Sequence, residues 1–248
     1  MNKWVTGRII KVKKWTKKLF SIVLNAPIMP FTAGQFAKLS FKDETKIQRA
    51  YSYVNAPNNK DLEFYIVLVP LGKITYRLSN LMPNDEILIT KESSGFFTLS
   101  EIPKCRDLWM LATGTAIGPY LSILQDNNNK IKKIKNIILI HAVRYMNELN
   151  YNTLITKIKK DYNGKLYTHN IVSREQYKNS LMGRIPNLIE NNMLEDRVGL
   201  RIDSNFSHIM LCGNPNMVRD TQKILIEKKD MRKHFRRNAG HITSENYW

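Results

Sequence analysis

Three arginines and a serine stand just beyond successive apolar runs of the chain. Arg144 follows NIILIHAV (136–143), Ser173 and Arg174 follow KLYTHNIV (165–172), and Arg184 lies in MGRIP (182–186). Guanidinium groups gathered at one place bind a dianion through paired, charge-assisted hydrogen bonds. Dinucleotide sites of the commonest type carry an acid near such a position for the ribose 2′-OH, whereas arginine suits a 2′-phosphate. Taken singly, each arginine is an ordinary surface residue of a basic chain. Their joint placement at successive strand ends points to NADP. A second phosphate chemistry is offered by ATGTAIGP (112–119). Gly114 and Gly118 permit a tight turn into a helix N-terminus, whose backbone N–H groups and dipole attract phosphate. The loop lacks G-x-G-x-x-G spacing and is a weak signal alone. In CGNPNM (212–217), Cys212 closes a run, Gly213 opens a turn and Pro215 stands where a helix starts. A buried structural cysteine is the default for Cys212; its place at the same edge would also allow contact with a bound nicotinamide. A fourth stretch, QRAYSYVNAP (48–57), alternates like a strand yet carries polar and aromatic groups on both faces.

The elements that must position these residues fall into two rhythms. Up to about residue 100 the chain reads as short strands rich in β-branched and aromatic residues: 4–12, 19–25, 35–41, 50–54, 62–69 and 86–90. Turn residues separate them, and one amphipathic helix, 73–81, interrupts. Six short strands of this kind predict an antiparallel β-barrel. After SGFFTLSEIP (94–103) buried-type strands alternate with helices: 108–113 then 118–126, 136–143 then 151–161, 165–172 then 184–192, and 206–212 then 215–229. Four strand–helix units predict an α/β domain with a parallel sheet covered on both faces. Ligands in such sheets bind at the carboxyl ends of the strands, where the arginines and Cys212 fall. The predicted boundaries are 1–100 for the barrel and 101–248 for the α/β domain.

Composition narrows the function classes. The chain has 248 residues, with 39 Lys and Arg against 21 Asp and Glu, a formal net charge of +18. Such a field attracts nucleic acid, membrane surfaces or acidic proteins. Part of it is compositional bias, as in the lysine- and asparagine-rich DNNNKIKKIKN (126–136). The lysines form no single arm, and there is no helix-turn-helix, zinc-finger or RNA-binding signature, so nucleic acid is not expected as a partner. The most apolar span, 108–124, is interrupted by Gly114, Gly118 and Pro119 and does not predict a membrane helix. The N-terminal stretch interleaves lysine with apolar residues and predicts no signal peptide. Two cysteines build no disulfide framework, which suits a reducing cytoplasm. No apolar stripe predicts an obligate dimer, so a monomer is expected.

Taken in order, RAYS (49–52), GKIT (72–75), ATGTAIGP (112–119), VSRE (172–175), GRIP (183–186), CGNPNMVRD (212–220) and the final NYW (246–248) resemble the bacterial ferredoxin/flavodoxin–NADP reductases. The similarity runs the whole length. It implies an FAD-binding antiparallel barrel followed by an NADP(H)-binding α/β domain. It implies that Arg49 pairs with the FAD pyrophosphate, that Tyr51 packs on the isoalloxazine with Ala50 beside it, and that Ser52 points toward flavin N5. Lys73, Ile74 and Thr75 would meet the phosphates, Tyr65, Ile66, Val67 and Leu68 would lie along the cofactor, and Thr115 and Asn214 would contact the ligands. Cys212 would join Tyr51 and Ser52 near the reacting atoms. Of Tyr247 and Trp248, one would cover the isoalloxazine and the other the adenine, in an order the sequence leaves open. The resemblance further implies hydride transfer between NADP(H) and FAD, and single-electron exchange with an acidic ferredoxin or flavodoxin. A flavin reductase or electron-transfer subunit of the same fold is the rival enzyme reading; two cysteines cannot supply the about four ligands of an iron–sulfur cluster. A charge-driven nucleic-acid binder is the rival outside enzymes; it predicts salt-sensitive binding and no yellow colour.

Overall fold

The computed structural model describes residues 3–126 and 128–247. It divides into two compact units, Met1–Thr98 with Gly118–Asn127 and Leu99–Ile117 with Asn128–Trp248.

The first unit is built on six strands and a short helix: β1 (Trp4–Lys14), β2 (Leu19–Asn25), β3 (Phe36–Ser40), β4 (Arg49–Ser52), β5 (Leu62–Val67), α1 (Lys73–Ser79) and β6 (Glu86–Thr90). The strands pair antiparallel in the order β4-β3-β6-β1-β2-β5. A bridge between Tyr53 and Phe64, with the Val54 N–H donating to the Glu63 carbonyl at 2.9 Å, joins the two outer strands and nearly closes a barrel. Closure removes exposed strand edges. The side chains that alternate inward, among them Ile9, Phe20, Ile22, Leu39, Tyr53, Phe64, Ile66 and Ile89, fill the interior. Helix α1 adds Ile74 and Leu78 to that core, four residues apart on one face.

The second unit carries β7 (Asp107–Thr113), then α2 (Ile117–Asp126), α3 (Asn129–Lys132), β8 (Asn136–Val143), α4 (Asn152–Asp161), β9 (Leu166–Val172), β10 (Leu181–Met182), α5 (Ile185–Glu190), α6 (Met193–Val198), β11 (Ser207–Gly213), α7 (Pro215–Lys229) and β12 (Ile242–Asn246). Its sheet has the order β10-β9-β8-β7-β11-β12, and each pairing is parallel. The strands β7 and β11 are buried almost from end to end, as a sheet covered on both faces requires.

Three features differ from the sequence expectation. Helix α2 follows β7 in the chain, yet beyond Ile117 it belongs to the barrel unit. There the Ser122 hydroxyl donates to the Asn55 carbonyl at 2.7 Å and the Gln125 amide to the Val54 carbonyl at 2.7 Å. The helix expected over 184–192 is α5, which ends at Glu190, and a second helix that was not expected, α6, starts after Asn192, whose φ is +62°; asparagine is among the few side chains that tolerate this left-handed region. Strand β12 was not expected, because ITSEN offers only one deeply buried apolar side chain, Ile242, and its partner β11 is distant in sequence. No helix of the described residues is long and apolar enough to cross a membrane.

Candidate functional site

In the barrel unit, β4 presents RAYS at the outer edge of the sheet. Arg49 and Ala50 are exposed, while Tyr51 and Ser52 are buried. The Arg49 guanidinium donates only to the neighbouring Gln48 carbonyl, at 2.9 Å, and no carboxylate among the described residues pairs with it. The Tyr51 hydroxyl and the Gln48 side-chain oxygen are buried with no partner among the described residues. Burial pushes the Tyr51 phenol well above its ordinary range, partly offset by the Arg49 charge. A free cation, a buried aromatic with an unsatisfied hydroxyl and a buried serine on one strand suit a ligand with phosphates and a flat polar-edged ring. The donor set therefore fits the flavin that the sequence implies.

The second piece of this half follows β5. Tyr65 and Ile66 are buried, and Val67 and Leu68 are partly so. Gly72 then caps α1 with no side-chain bond. Lys73 is exposed, while Ile74 and Thr75 are buried. The Thr75 hydroxyl donates to the Gly72 carbonyl at 3.3 Å and accepts from the Val69 N–H at 3.2 Å. Thr75 thus holds the loop in shape, a role its motif did not announce.

In the parallel unit, the strand ends bring the predicted residues together. The Arg174 N–H donates to the Arg144 carbonyl at 3.0 Å, and the Ser173 N–H to the Val143 carbonyl at 3.0 Å. The pairing of Met182 with Val172 carries Arg184 to the same edge, where it caps α5. All three arginines are exposed, and none has a carboxylate partner among the described residues. The acids nearby are occupied with backbone instead. Glu148 accepts from the Arg144 N–H at 2.8 Å, and Glu175 from the Met146 N–H at 2.5 Å. These two carboxylates shape the loops and leave the guanidinium groups free for an anion. Ser173 contributes less than expected as a donor, since its hydroxyl already donates to the Val143 carbonyl at 3.2 Å.

The ends of β7 and β11 interlock. Gly213 has φ +146°, and a Cβ there would stand 2.0 Å from Thr113 Oγ1 and 3.1 Å from the Thr113 nitrogen. Only glycine fits that approach. Thr113 Oγ1 accepts from the Asn214 N–H at 2.9 Å, and the Asn214 side chain caps α7 by accepting from Asn216 and Met217 N–H. Thr115 is buried in the turn after β7. Its neighbour Gly114 offers its carbonyl to His141 Nε2 at 2.9 Å. Burial pulls the His141 imidazole down to about 4, so the ring is neutral and Nε2 carries the proton that the carbonyl accepts.

Cys212 is fully buried, and burial, with a lesser contribution from Glu245, holds its thiol protonated. Glu245 pairs with Cys212 across β11 and β12, and burial lifts its carboxyl to about 7. Glu245, Thr113 and His141 were missed in the sequence: Glu245 because β12 was not recognised, and the other two because strand-end hydroxyls and imidazoles carry no spacing signal. The Tyr247 N–H donates to the Gly213 carbonyl at 3.0 Å, and its side chain is half-buried. Trp248, expected to join Tyr247 over the rings, lies outside the described residues.

Comparison with known proteins agrees with both halves. The family model described as "Oxidoreductase NAD-binding domain" matches residues 110–223. Over its full length, and theirs, the chain is 54% identical to the flavodoxin/ferredoxin–NADP reductase of Escherichia coli K12 and 55% identical to that of Buchnera aphidicola subsp. Schizaphis graminum. A crystal structure of a ferredoxin NADP+ reductase from Neisseria gonorrhoeae with bound FAD and NADP superposes with a TM-score of 0.93 at 32% identity, covering 100% of both chains. With sequence identity above one half sustained across the whole of both chains, and with the two-unit fold and its free guanidinium edge in place, this chain belongs to the flavodoxin/ferredoxin–NADP reductase family.

Proposed function

We propose that this chain is an FAD-dependent oxidoreductase that exchanges a hydride with NADP(H) and single electrons with ferredoxin or flavodoxin. The barrel unit, with α2, holds FAD, and the parallel unit holds NADP(H). The observation that carries this reading is the unpaired set Arg144, Arg174 and Arg184 at one sheet edge, a cradle for a dianion that the ribose 2′-phosphate fits.

When bound, FAD supplies the conversion between two-electron hydride chemistry and one-electron chemistry. The chain's own residues bind and orient. Arg49 neutralises the pyrophosphate, and the Lys73–Thr75 turn meets it with backbone N–H groups and the lysine charge. Tyr51 walls the ring, and its hydroxyl gains the partner it lacks within the protein. Ser52 offers a donor beside it. Across the parallel edge, Gly213 and Asn214 leave room for the nicotinamide, while Tyr247 guards the approach. Cys212 is fully buried and stays protonated behind the Gly213 turn. Holding the hydride donor and acceptor in register is the protein's contribution; no side chain must give or take a proton in the hydride step.

The basic surface steers an acidic carrier toward the enzyme. The same reading gives a monomer with no nucleic-acid or membrane partner, in a reducing cytoplasm that its two free cysteines suit.

The test is direct. The purified protein should be yellow, with a flavin spectrum, and anaerobic titration should bleach it at much lower NADPH than NADH. A colourless protein that takes up no FAD when supplied would overturn the reading.

A further inference from the structure

Strand β8 is buried from Ile137 to Val143, and one polar side chain stands in that apolar run, His141. It is 1% exposed. The register sets it opposite Ala112 of β7, so the two share a face of the sheet. The small Ala112 side chain leaves the imidazole free to lean across β7 to the turn beyond it. There Nε2–H donates to the Gly114 carbonyl at 2.9 Å. The other ring nitrogen, Nδ1, is buried with no partner among the described residues.

Packing alone does not call for this residue. A leucine would fill much the same space without stranding a lone pair, and a buried acceptor with no partner costs free energy that an apolar side chain does not. Burial holds the ring neutral, so it adds no charge to the edge, and the hydride step takes no proton from it. What His141 supplies is one donor aimed at one carbonyl.

That carbonyl stands at a junction. Gly114 has φ +57° and opens the turn Gly114–Ala116 that leads into α2. The turn keeps its own shape, because the Gly114 carbonyl also accepts from the Ile117 N–H. Its place is fixed from outside, by both strands that flank β7. On the β11 side the Asn214 N–H donates to Thr113 Oγ1 at 2.9 Å. On the β8 side His141 donates to Gly114. Two consecutive residues are thus pinned, one to each neighbouring strand, and the first of them stands against Gly213.

We propose that His141 is a positioning residue for hydride transfer, its bond to the Gly114 carbonyl pinning the turn 113–116 beside the nicotinamide's place at Gly213 and Asn214. This rests on the function proposed above and adds a residue to it. The turn serves the end of the nucleotide that NADPH and NADH share, whereas Arg144, Arg174 and Arg184 serve the end that differs. Removing the donor therefore slows hydride transfer from both nucleotides alike.

Three variants of the holoenzyme test this. His141→Leu fills the site without a donor. His141→Gln carries an amide N–H at nearly the reach of Nε2, and His141→Asn carries the same amide one carbon short of it. Each is mixed anaerobically with NADPH or NADH in a stopped-flow instrument. The limiting rate of flavin bleaching per bound FAD, extrapolated to saturating nucleotide, is read beside the melting temperature. A misplacement of about 1 Å can cost about 10²-fold in rate, and the turn's own bond limits how far it shifts, so His141→Leu is expected to lose about 10-fold with either nucleotide. The ratio of the NADPH rate to the NADH rate should stay within about 2-fold of the parent's, since the arginine edge is untouched. His141→Asn should follow the leucine variant, and His141→Gln should recover to within about 3-fold of the parent whatever its melting temperature. A histidine that only packs the core predicts the reverse: lower melting temperatures with parent rates per bound flavin. That result, a glutamine variant no faster than the asparagine one, or a loss confined to NADPH would overturn the proposal. If His141→Leu does not fold, the comparison of glutamine with asparagine decides alone. A parent enzyme whose flavin NADPH does not bleach would instead overturn the function on which the proposal rests.

Discussion

Replacing Arg144 and Arg174 together with alanine should remove most of the preference for NADPH over NADH and leave FAD in place. Among the described residues neither guanidinium makes an ion pair, so truncation disturbs little of the structure; the Arg174 guanidinium lies only loosely over the Tyr145 ring, at 6.0 Å. The backbone bond between Arg174 and Arg144 survives alanine. The loss therefore falls on the ligand. A charge-assisted hydrogen bond contributes roughly 1.5–3 kcal/mol, and these groups are exposed, which places each near the lower end. Two such bonds amount to about 3 kcal/mol, or roughly 10²-fold in the ratio of kcat/KM for NADPH to that for NADH. Ser173→Ala should shift that ratio less than about 3-fold, because its hydroxyl proton is already given to Val143. The assay is steady-state reduction of ferricyanide with each nucleotide, with flavin content measured from the visible spectrum. A ratio unchanged within 2-fold in the double variant would place the 2′-phosphate elsewhere.

Three further outcomes are expected. Gly213→Ala drives a Cβ into Thr113 and forces an unfavourable φ, and should cost about 2–4 kcal/mol in urea unfolding; Thr113→Ala in the same chain should recover part of it, and a parent-like Gly213→Ala would contradict the close approach. Tyr51→Phe removes a hydroxyl with no protein partner, so the apoprotein should be no less stable while FAD is retained several-fold more weakly, read as recovery of flavin fluorescence on dilution. Glu245 ionises near 4.5 when unfolded but near 7 when folded. Between those values the folded state keeps a proton that the unfolded state has released, so stability falls as pH rises through the window. Glu245→Gln should therefore flatten the loss of stability from pH 5 to pH 8.5 by about 2–3 kcal/mol; an unchanged slope would mean the carboxyl is solvated.

The strands 19–25, 86–90 and 136–143 and the helix 215–229 were readable to the residue, because apolar or β-branched runs there end abruptly at turn residues or, for the helix, at Pro215. The gathering of three arginines was readable for a similar reason: a parallel sheet collects at one edge whatever follows each strand, so Arg144, Arg174 and Arg184 could be joined from the strand pattern alone. Their acidic neighbours were not, since Glu148 and Glu175 act by accepting backbone N–H groups, a role with no sequence periodicity. Strand β12 escaped because a polar edge strand is specified by its partner, not by its own pattern. Glu245 went unnoticed with it.

The lodging of α2 in the barrel unit bears on how this enzyme can be taken apart. A gene cut near residue 100 yields an N-terminal piece whose Asn55 and Val54 carbonyls have lost Ser122 and Gln125, and a C-terminal piece left holding the helix that supplied them. Neither fragment is a self-sufficient module. Swapping the pyridine-nucleotide half for that of another oxidoreductase would have to carry residues 118–127 back with the barrel, so chimeras spliced at the obvious seam should come out insoluble or pale while those that respect the interleaving should not.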